Sequence, residues 1–383
     1  MADVFRSLNL LGTLKESMDH NKLSDIKDAV EDLLISRINL AVMGERGDEK
    51  ATFINSLHGL SSGDDGAAPS RPPVSPEEVA SFPNPKHPVF RLWDLPAAPS
   101  TSPFEPEGYM DRVKFARYNA VFITFNRALP PNSVRVFLEA RSQQRQTVYF
   151  VLLASAGSTE EQLEGRRKAG LEVLTSQGVA APPQVYRVRP SALEKLDFPG
   201  LLEDLGRDLP EIRAHALLLA LPALTSTLVA RKKEAFSALV WAAASLSAGA
   251  AAAVPVPFVA SVVDCGVAAR VLSKAQLSLC LDEGSVERLA RQRGAEPSRL
   301  KGLRTCVLSA GVTKGEVRAR LAAAERDLAA VSVPSKLAEM AMPRHARSAG
   351  RSFAAMLQAL NAAIDEMAAD AQKIVAAALG EGK

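Results

Sequence analysis

Along the first half of the chain, apolar residues come in short unbroken runs separated by longer stretches of helical period. Ile38-Asn39-Leu40-Ala41-Val42-Met43 has the pattern of a buried strand and runs straight into Gly44. Val89–Trp93, Ala120–Phe125, Val148–Leu153 and Val185–Val188 repeat that pattern, with helical stretches around residues 132–144 and 160–178 between them. Strands alternating with helices predict a mostly parallel sheet with right-handed crossovers. Residues 60–106 are rich in Pro, Ser and Gly and read as a long loop, in which Val89–Trp93 is a short strand ending at Asp94. After about Pro210 the strand signals stop. The clearest helix is the last one, where Phe353, Met356, Leu357, Leu360, Ile364, Met367, Ala371 and Ile374 share a face. Residues 4–37 also have helical spacing, through Ile26, Val30, Leu33 and Leu34. The expected architecture is an α/β domain over residues 38–208 and an all-α domain over 209–383, to which the helical segment 1–37 contributes.

Composition narrows the function. A net charge of +3 and the lack of a Lys/Arg run with interleaved aromatics argue against nucleic acid as a partner. Cys265, Cys280 and Cys306 are widely spaced and His is scarce, so reduced thiols in a cytoplasmic protein are expected, not a metal site. Met1-Ala2-Asp3 is neither a signal peptide nor a myristoylation site. The stretch Ala235–Val263 is free of charge and long enough to span a bilayer, but it is rich in Ala and Ser and broken by Pro255 and Pro257. Two buried helices joined at a proline turn are expected there.

Candidate chemistry sits where the first strand ends. Gly44-Glu45-Arg46-Gly47-Asp48-Glu49-Lys50-Ala51-Thr52 occupies the place of a phosphate-binding loop of pattern G-x-x-x-x-G-K-[ST]. Such a loop needs glycines so that backbone N–H groups can curl round phosphates. It needs a lysine to reach the β- and γ-phosphates, and a hydroxyl to hold Mg²⁺. Gly44, Gly47 and Lys50 are present, but Glu49 stands for the second glycine and Ala51 for the hydroxyl residue. Lys50 is expected either to remain as a remnant or to pair with Asp48 or Glu49 and stabilise the empty loop.

Four segments carry a family resemblance. INLAVMGERGDEKATFINSLHGL resembles the first nucleotide motif of the immunity-related GTPases, an interferon-inducible family. VFRLWDLPA resembles their D-L-P-G motif, LDFPGLLEDLGRDLPEIRAHALLLALP their domain junction, and LNAAIDEMAADAQKIV their closing helix. Degenerate motifs and an Ala-rich tail are similar to the family's Q-type quasi-GTPases, and the layout to its cinema type. The resemblance implies a P-loop GTPase-like α/β domain plus a helical domain built from both termini. It also implies a link to innate immunity or autophagy, and a cytoplasmic protein that is peripheral on endomembranes. The partners it implies are other family GTPases or autophagy proteins, with a homo- or hetero-dimer formed through the GTPase-like domain. Phe198-Pro199-Gly200-Leu201 fits the short motif that autophagy adaptors read, yet it lies inside the junction segment, where a structural role is expected.

Read through the family, the departures accumulate. The guanine-selecting motif after the strand ending near Leu152 places Ala154 where the lysine belongs and Ala156 where the base-reading aspartate belongs. Arg189-Pro190 stands at the following S-N position, Val74-Ser75-Pro76-Glu77 at the switch I threonine region, and Ala97 at the D-L-P-G glycine. Gly44, Lys50, Asp94 and, if the helix start shifts, Thr52 are what survives. A carboxylate about 5 Å from a polyphosphate opposes it by roughly 1–3 kcal/mol. Unpaired guanine donors remove a further ~1–3 kcal/mol. With the Mg²⁺ hydroxyl gone as well, about 3–7 kcal/mol is lost, or roughly two to five orders of magnitude in affinity. The sequence therefore predicts a pseudo-GTPase with no catalytic residue, no metal and no bound cofactor. GTP and Mg²⁺ belong to the alternative, a slow residual GTPase.

Overall fold

The computed structural model describes residues 37–71, 75, 78–143, 147–253, 257–330 and 344–380, with backbone alone over 249–263 and 344–349. The chain divides into two compact units with the cut between Leu221 and Pro222. The expected helical lead-in, residues 1–37, lies almost wholly outside the described residues.

The first unit is an α/β domain around a six-stranded, mostly parallel sheet. Its strands are β1 (Ile38–Met43), β2 (Ala80–Pro83), β3 (Phe90–Leu95), β4 (Ala120–Phe125), β5 (Thr147–Leu153) and β6 (Val185–Val188), in the order β2-β3-β1-β4-β5-β6. All neighbours run parallel except β2 and β3. Its helices are α1 (Asp48–Leu57), α2 (Pro106–Arg112), α3 (Pro131–Ser142), α4 (Glu160–Ser176), α5 (Phe198–Asp208) and α6 (Glu211–Ala220). β1 and β4 are central strands, which is why they read as continuous apolar runs: β4 is buried at every position. β2 was not expected. It has four residues, ends in Pro83 and pairs antiparallel at the sheet's edge, so it carries no alternation long enough to see.

The junction segment explains itself in the fold. Phe198, Leu201, Leu202 and Leu205 form the buried face of α5, so Phe198 and Leu201 are not displayed to an adaptor. Three aspartates of this segment hold sheet residues. Asp197 takes a two-pronged hydrogen bond from Arg187 at 2.8 and 2.9 Å, Asp204 accepts from the Tyr186 hydroxyl, and Asp208 accepts from Tyr149 at 2.7 Å. Helix α6 packs on β1 and β3. The α/β unit therefore runs to Leu221, past the boundary at 208 that the end of the strand signals suggested.

His58, at the C-terminal end of α1, is buried edge-on against Phe90 with centroids 5.1 Å apart. Burial pushes its pKa down to about 3, and neither ring nitrogen has a hydrogen-bond partner among the described residues. Because the folded pKa is depressed below 6.5, the unfolded chain binds the extra proton. Stability is full above 6.5 and declines as pH falls toward about 3. His58→Leu is expected to raise stability by about 1 kcal/mol and to flatten that acid limb. Urea unfolding between these pH values checks it, and an unchanged limb would rule the assignment out.

Every regular element described between Pro222 and Lys383 is a helix. They are α7 (Ser226–Ala253), α8 (Pro257–Ser278), α9 (Glu283–Arg293), α10 (Pro297–Lys301), α11 (Val307–Ala310), α12 (Lys314–Ala330) and the 36-residue α13 (Arg344–Leu379). Helix α13 packs chiefly on α7, then on α12 and α8. Met356, Leu360, Ile364, Met367, Ala371 and Ile374 are buried, as the one-faced pattern predicts, while Phe353 and Leu357 are half-buried. Buried alanines, among them Ala242, Ala243, Ala244 and Ala363, supply the small side chains of this core. Pro257 opens α8, where its missing N–H has no intrahelical role. No helix among the described residues is long and apolar enough to cross a membrane. The three cysteines are free thiols, Cys265 and Cys306 buried and Cys280 half-buried.

Candidate functional site

The site begins where β1 meets β4. Gly44 has φ +154, and a Cβ there would lie 2.4 Å from Thr124 Oγ1 and 2.5 Å from its carbonyl oxygen, so only glycine fits. The Thr124 hydroxyl donates to the Met43 carbonyl at 3.0 Å and fixes that approach. The chain then turns through Glu45 and Arg46 to Gly47, which caps α1. Asp48 and Glu49 fill the first turn of α1. Carboxylates here face the positive end of the helix, the place where a phosphate-binding loop puts its ligand.

Lys50 lies one turn in and is 3% exposed. Its ammonium sits 2.5 Å from Asp94 Oδ1 and donates to the carbonyls of Gly44 at 2.8 Å and Leu95 at 2.5 Å. One ion pair and two backbone hydrogen bonds thus hold the ammonium in place. Sheet register makes the pairing: β1 and β3 lie side by side with Val42 opposite Asp94, so the penultimate residue of β3 meets the loop leaving β1. The expected pairing of Lys50 with Asp48 or Glu49 is corrected. Asp48 instead accepts from Ser70, and Lys50 turns inward to Asp94, a carboxylate only 4% exposed whose other counter-ion, Arg46, lies no nearer than 3.9 Å. Burial pushes the Lys50 pKa down, Asp94 opposes that by charge and hydrogen bond, and the Arg46 charge adds to the lowering.

Arg46 was not singled out from the sequence, although a cation inside the loop was the available signal. Its Nε lies 3.9 Å from Asp94 Oδ2, and its Nη2 donates to the Glu78 carbonyl at 2.9 Å. Asn55 was missed as well. It pins the following loop over α1, donating to the Ala68 carbonyl at 2.9 Å and accepting from the Ala68 amide at 2.6 Å. The hollow bounded by Arg46, Gly47, Lys50, Ala51, Ser70 and Asp94 is closed down to about 0 Å³ of space for water. Thr52 is half-buried and does not border it.

The other sequence-derived positions lie at strand ends. Ala154 is buried and continues β5 through its amide, which donates to the Val188 carbonyl at 2.8 Å. Ala156 is exposed in the turn after it. Arg189 reaches over this turn, its Nη2 donating to the Ser158 carbonyl at 3.2 Å. Ala97 is half-buried just past β3. Of the switch I region, Val74, Pro76 and Glu77 lie outside the described residues.

A mostly parallel sheet in this order, with a glycine-turned loop and lysine after β1 and an aspartate near the end of β3, is the frame of a nucleotide-switch domain. The family model for interferon-inducible GTPases (IIGP) matches residues 9–377. The chain belongs to the interferon-inducible GTPase family. It is 29% identical over 390 residues to Interferon-inducible GTPase 5 of Bos taurus, covering 97% of this chain and 82% of that protein. It is 28% identical over 282 residues to Interferon-gamma-inducible GTPase 10 of Mus musculus, covering 70% and 67%. To the Immunity-related GTPase family Q protein of Mus musculus it is 29% identical over 383 residues, covering 92% of this chain but 63% of that relative's length. The chain is thus an immunity-related, interferon-inducible GTPase-like protein in which an internal ion pair lies at the lysine of the family's phosphate-binding loop.

Proposed function

We propose that this chain is a pseudo-GTPase, a family member that works by binding other proteins and not by turning over nucleotide. The observation that carries this is the buried Lys50 ammonium, satisfied by Asp94, Gly44 and Leu95 inside a hollow with no space for water. A Mg²⁺-nucleotide fits these residues poorly. Lys50 would have to leave three buried partners, Ala51 has no oxygen for the metal, and Ala156 has no carboxylate for guanine. Asp48 and Glu49 already place negative charge at the end of the helix where phosphates would go.

The partners proposed are other members of the family, through a homo- or hetero-dimer of the GTPase-like units, or proteins of autophagy, in cell-autonomous immunity. The proposed location is the cytoplasm with peripheral contact to endomembranes. Carbonate or high-salt washing is expected to release the protein from membranes, and its retention in the pellet would contradict peripheral attachment.

Calorimetric titration with GTP and ATP tests the central proposal. No saturation is expected at sub-millimolar concentration, and no Mg²⁺-dependent release of phosphate above background. Glu49→Gly combined with Ala51→Ser should recover some phosphate affinity but little guanine selectivity, because Ala156 still lacks the carboxylate. The second reading, a slow residual GTPase, draws on the names of the relatives. Micromolar GTP binding by the unmodified chain, favoured over ATP by about tenfold, or roughly 1.4 kcal/mol, would establish that reading and remove the first.

A further inference from the structure

The same α/β unit holds a second concavity of about 490 Å³, away from Lys50, between the segment before β2 and the end of α2. That volume lies in the range of small-ligand sites, about 300–1,000 Å³. Trp93 of β3 forms part of its wall, Val113 is its buried backing, and Arg112, Lys114 and Arg117 line it together with one acid, Glu78. We propose that this concavity binds a phosphate-bearing anion.

Two arginines are set in place by aromatic faces. The Arg117 guanidinium lies 3.7 Å from the Trp93 ring centroid and 5.0 Å from that of Tyr118. Trp93 is fixed in turn, its indole N–H donating to Asn39 Oδ1 at 3.0 Å. Arg112 lies 5.6 Å from the ring of Tyr109, whose hydroxyl donates to the Pro96 carbonyl at 2.6 Å. A guanidinium held on an aromatic face keeps its N–H donors in its own plane, with less side-chain freedom to lose when it grips an oxyanion. Lys114 adds a third cation from a left-handed backbone, φ 53 and ψ 53. Glycine takes that conformation freely and lysine does not, so the position combines backbone strain with a cation facing the concavity. Among the described lining residues, three cations against one carboxylate give the concavity a positive field. A phosphate offers three acceptor oxygens to such a cluster, where a carboxylate offers two.

The chemistry is shared by a free phosphorylated metabolite and by a lipid headgroup, and two probes separate them. The full chain is titrated at low salt, without Mg²⁺, with inorganic pyrophosphate. In parallel it is floated with phosphatidylcholine vesicles carrying or lacking phosphatidic acid. Saturable, salt-sensitive binding of at least one probe is expected. Arg117→Gln and Lys114→Gly are each expected to weaken it by about tenfold or more, with the melting temperature of Lys114→Gly no lower than the parent's. Binding of pyrophosphate alone supports the proposal with a free ligand, and binding of phosphatidic acid vesicles alone supports it with a headgroup. The proposal is overturned if neither probe binds, or if both variants bind within about twofold of the parent.

Discussion

Lys50→Met is expected to lower the unfolding free energy of the α/β unit by about 3–5 kcal/mol, the penalty for leaving one member of a buried ion pair without its partner. Asp94 would then be 4% exposed, with no opposite charge nearer than the Arg46 guanidinium at 3.9 Å. Asp94→Leu alone should cost a similar amount, because it strands the Lys50 ammonium. The double substitution Lys50→Met with Asp94→Leu should recover most of the loss, since an apolar pair of similar volume removes both desolvation penalties. A coupling energy of several kcal/mol between the two positions is the signature sought in the double-mutant cycle. Urea unfolding followed by the fluorescence of Trp93 in a Trp241→Phe background reads this unit, because Trp241, the chain's other tryptophan, lies in the helical unit. A lysine reserved for phosphate would leave stability nearly unchanged when replaced. A Lys50→Met protein as stable as the parent would therefore remove the internal pair from the account and weaken the pseudo-GTPase proposal with it.

Asp370→Ala is expected to destabilise the helical unit by a comparable ~3–5 kcal/mol. Asp370 is fully buried on α13 and gathers the start of α11 around it. Its carboxylate accepts from the amides of Thr305 and Cys306, both at 2.8 Å, and from the hydroxyls of Thr305 at 2.7 Å and Ser309 at 2.9 Å. Lys373 lies 3.4 Å away. Removing the carboxylate leaves the buried Cys306 amide and Ser309 hydroxyl without this acceptor, while the groups of the exposed Thr305 turn to water. Burial pushes the Asp370 pKa up, but the hydrogen bonds from Cys306, Thr305, Ser309 and Lys373 outweigh it and hold the pKa below 3.8. The sign follows: the stabilisation is complete above the unfolded pKa and is lost as pH falls through the folded one. Asp370→Asn should therefore lose less than Asp370→Ala at neutral pH and show a shallower acid limb. Trp241 fluorescence and helical circular dichroism measure both. Equal stability of Asp370→Ala and the parent would show that the network contributes nothing.

Much of the fold was legible because its cues are local. Ile38–Met43 and Ala120–Phe125 match the observed strands, since central parallel strands are buried on both faces and show as apolar runs. What escaped was set at long range or carried by few residues. Strand β2 is too short and too near the edge to leave a pattern. The boundary at Leu221 was hidden because α6 reads as helix whether it packs on a sheet or on other helices. At the site, Gly44 and Lys50 stood out by spacing, and Asp94 through the family motif. The choice of Asp94 as the partner of Lys50 is a product of strand register across 44 residues of chain, so proximity in sequence pointed to Asp48 and Glu49 instead. Arg46 and Asn55 act on backbone carbonyls and amides, groups that every residue offers, so nothing in the sequence marks which ones they reach.

The bond from Arg46 to the Glu78 carbonyl bears on time. In a nucleotide switch, the segment leading into the edge strand is held by a γ-phosphate and its metal, and hydrolysis lets it go. The interval between loading and hydrolysis is a clock. Here a side chain from the loop itself holds Glu78, and under the pseudo-GTPase reading proposed above no hydrolysis step ends that hold. A pseudo-GTPase wired in this way would have no internal duration. Its signal would last as long as the molecule does, so synthesis and degradation would become its on and off rates, and abundance its dial.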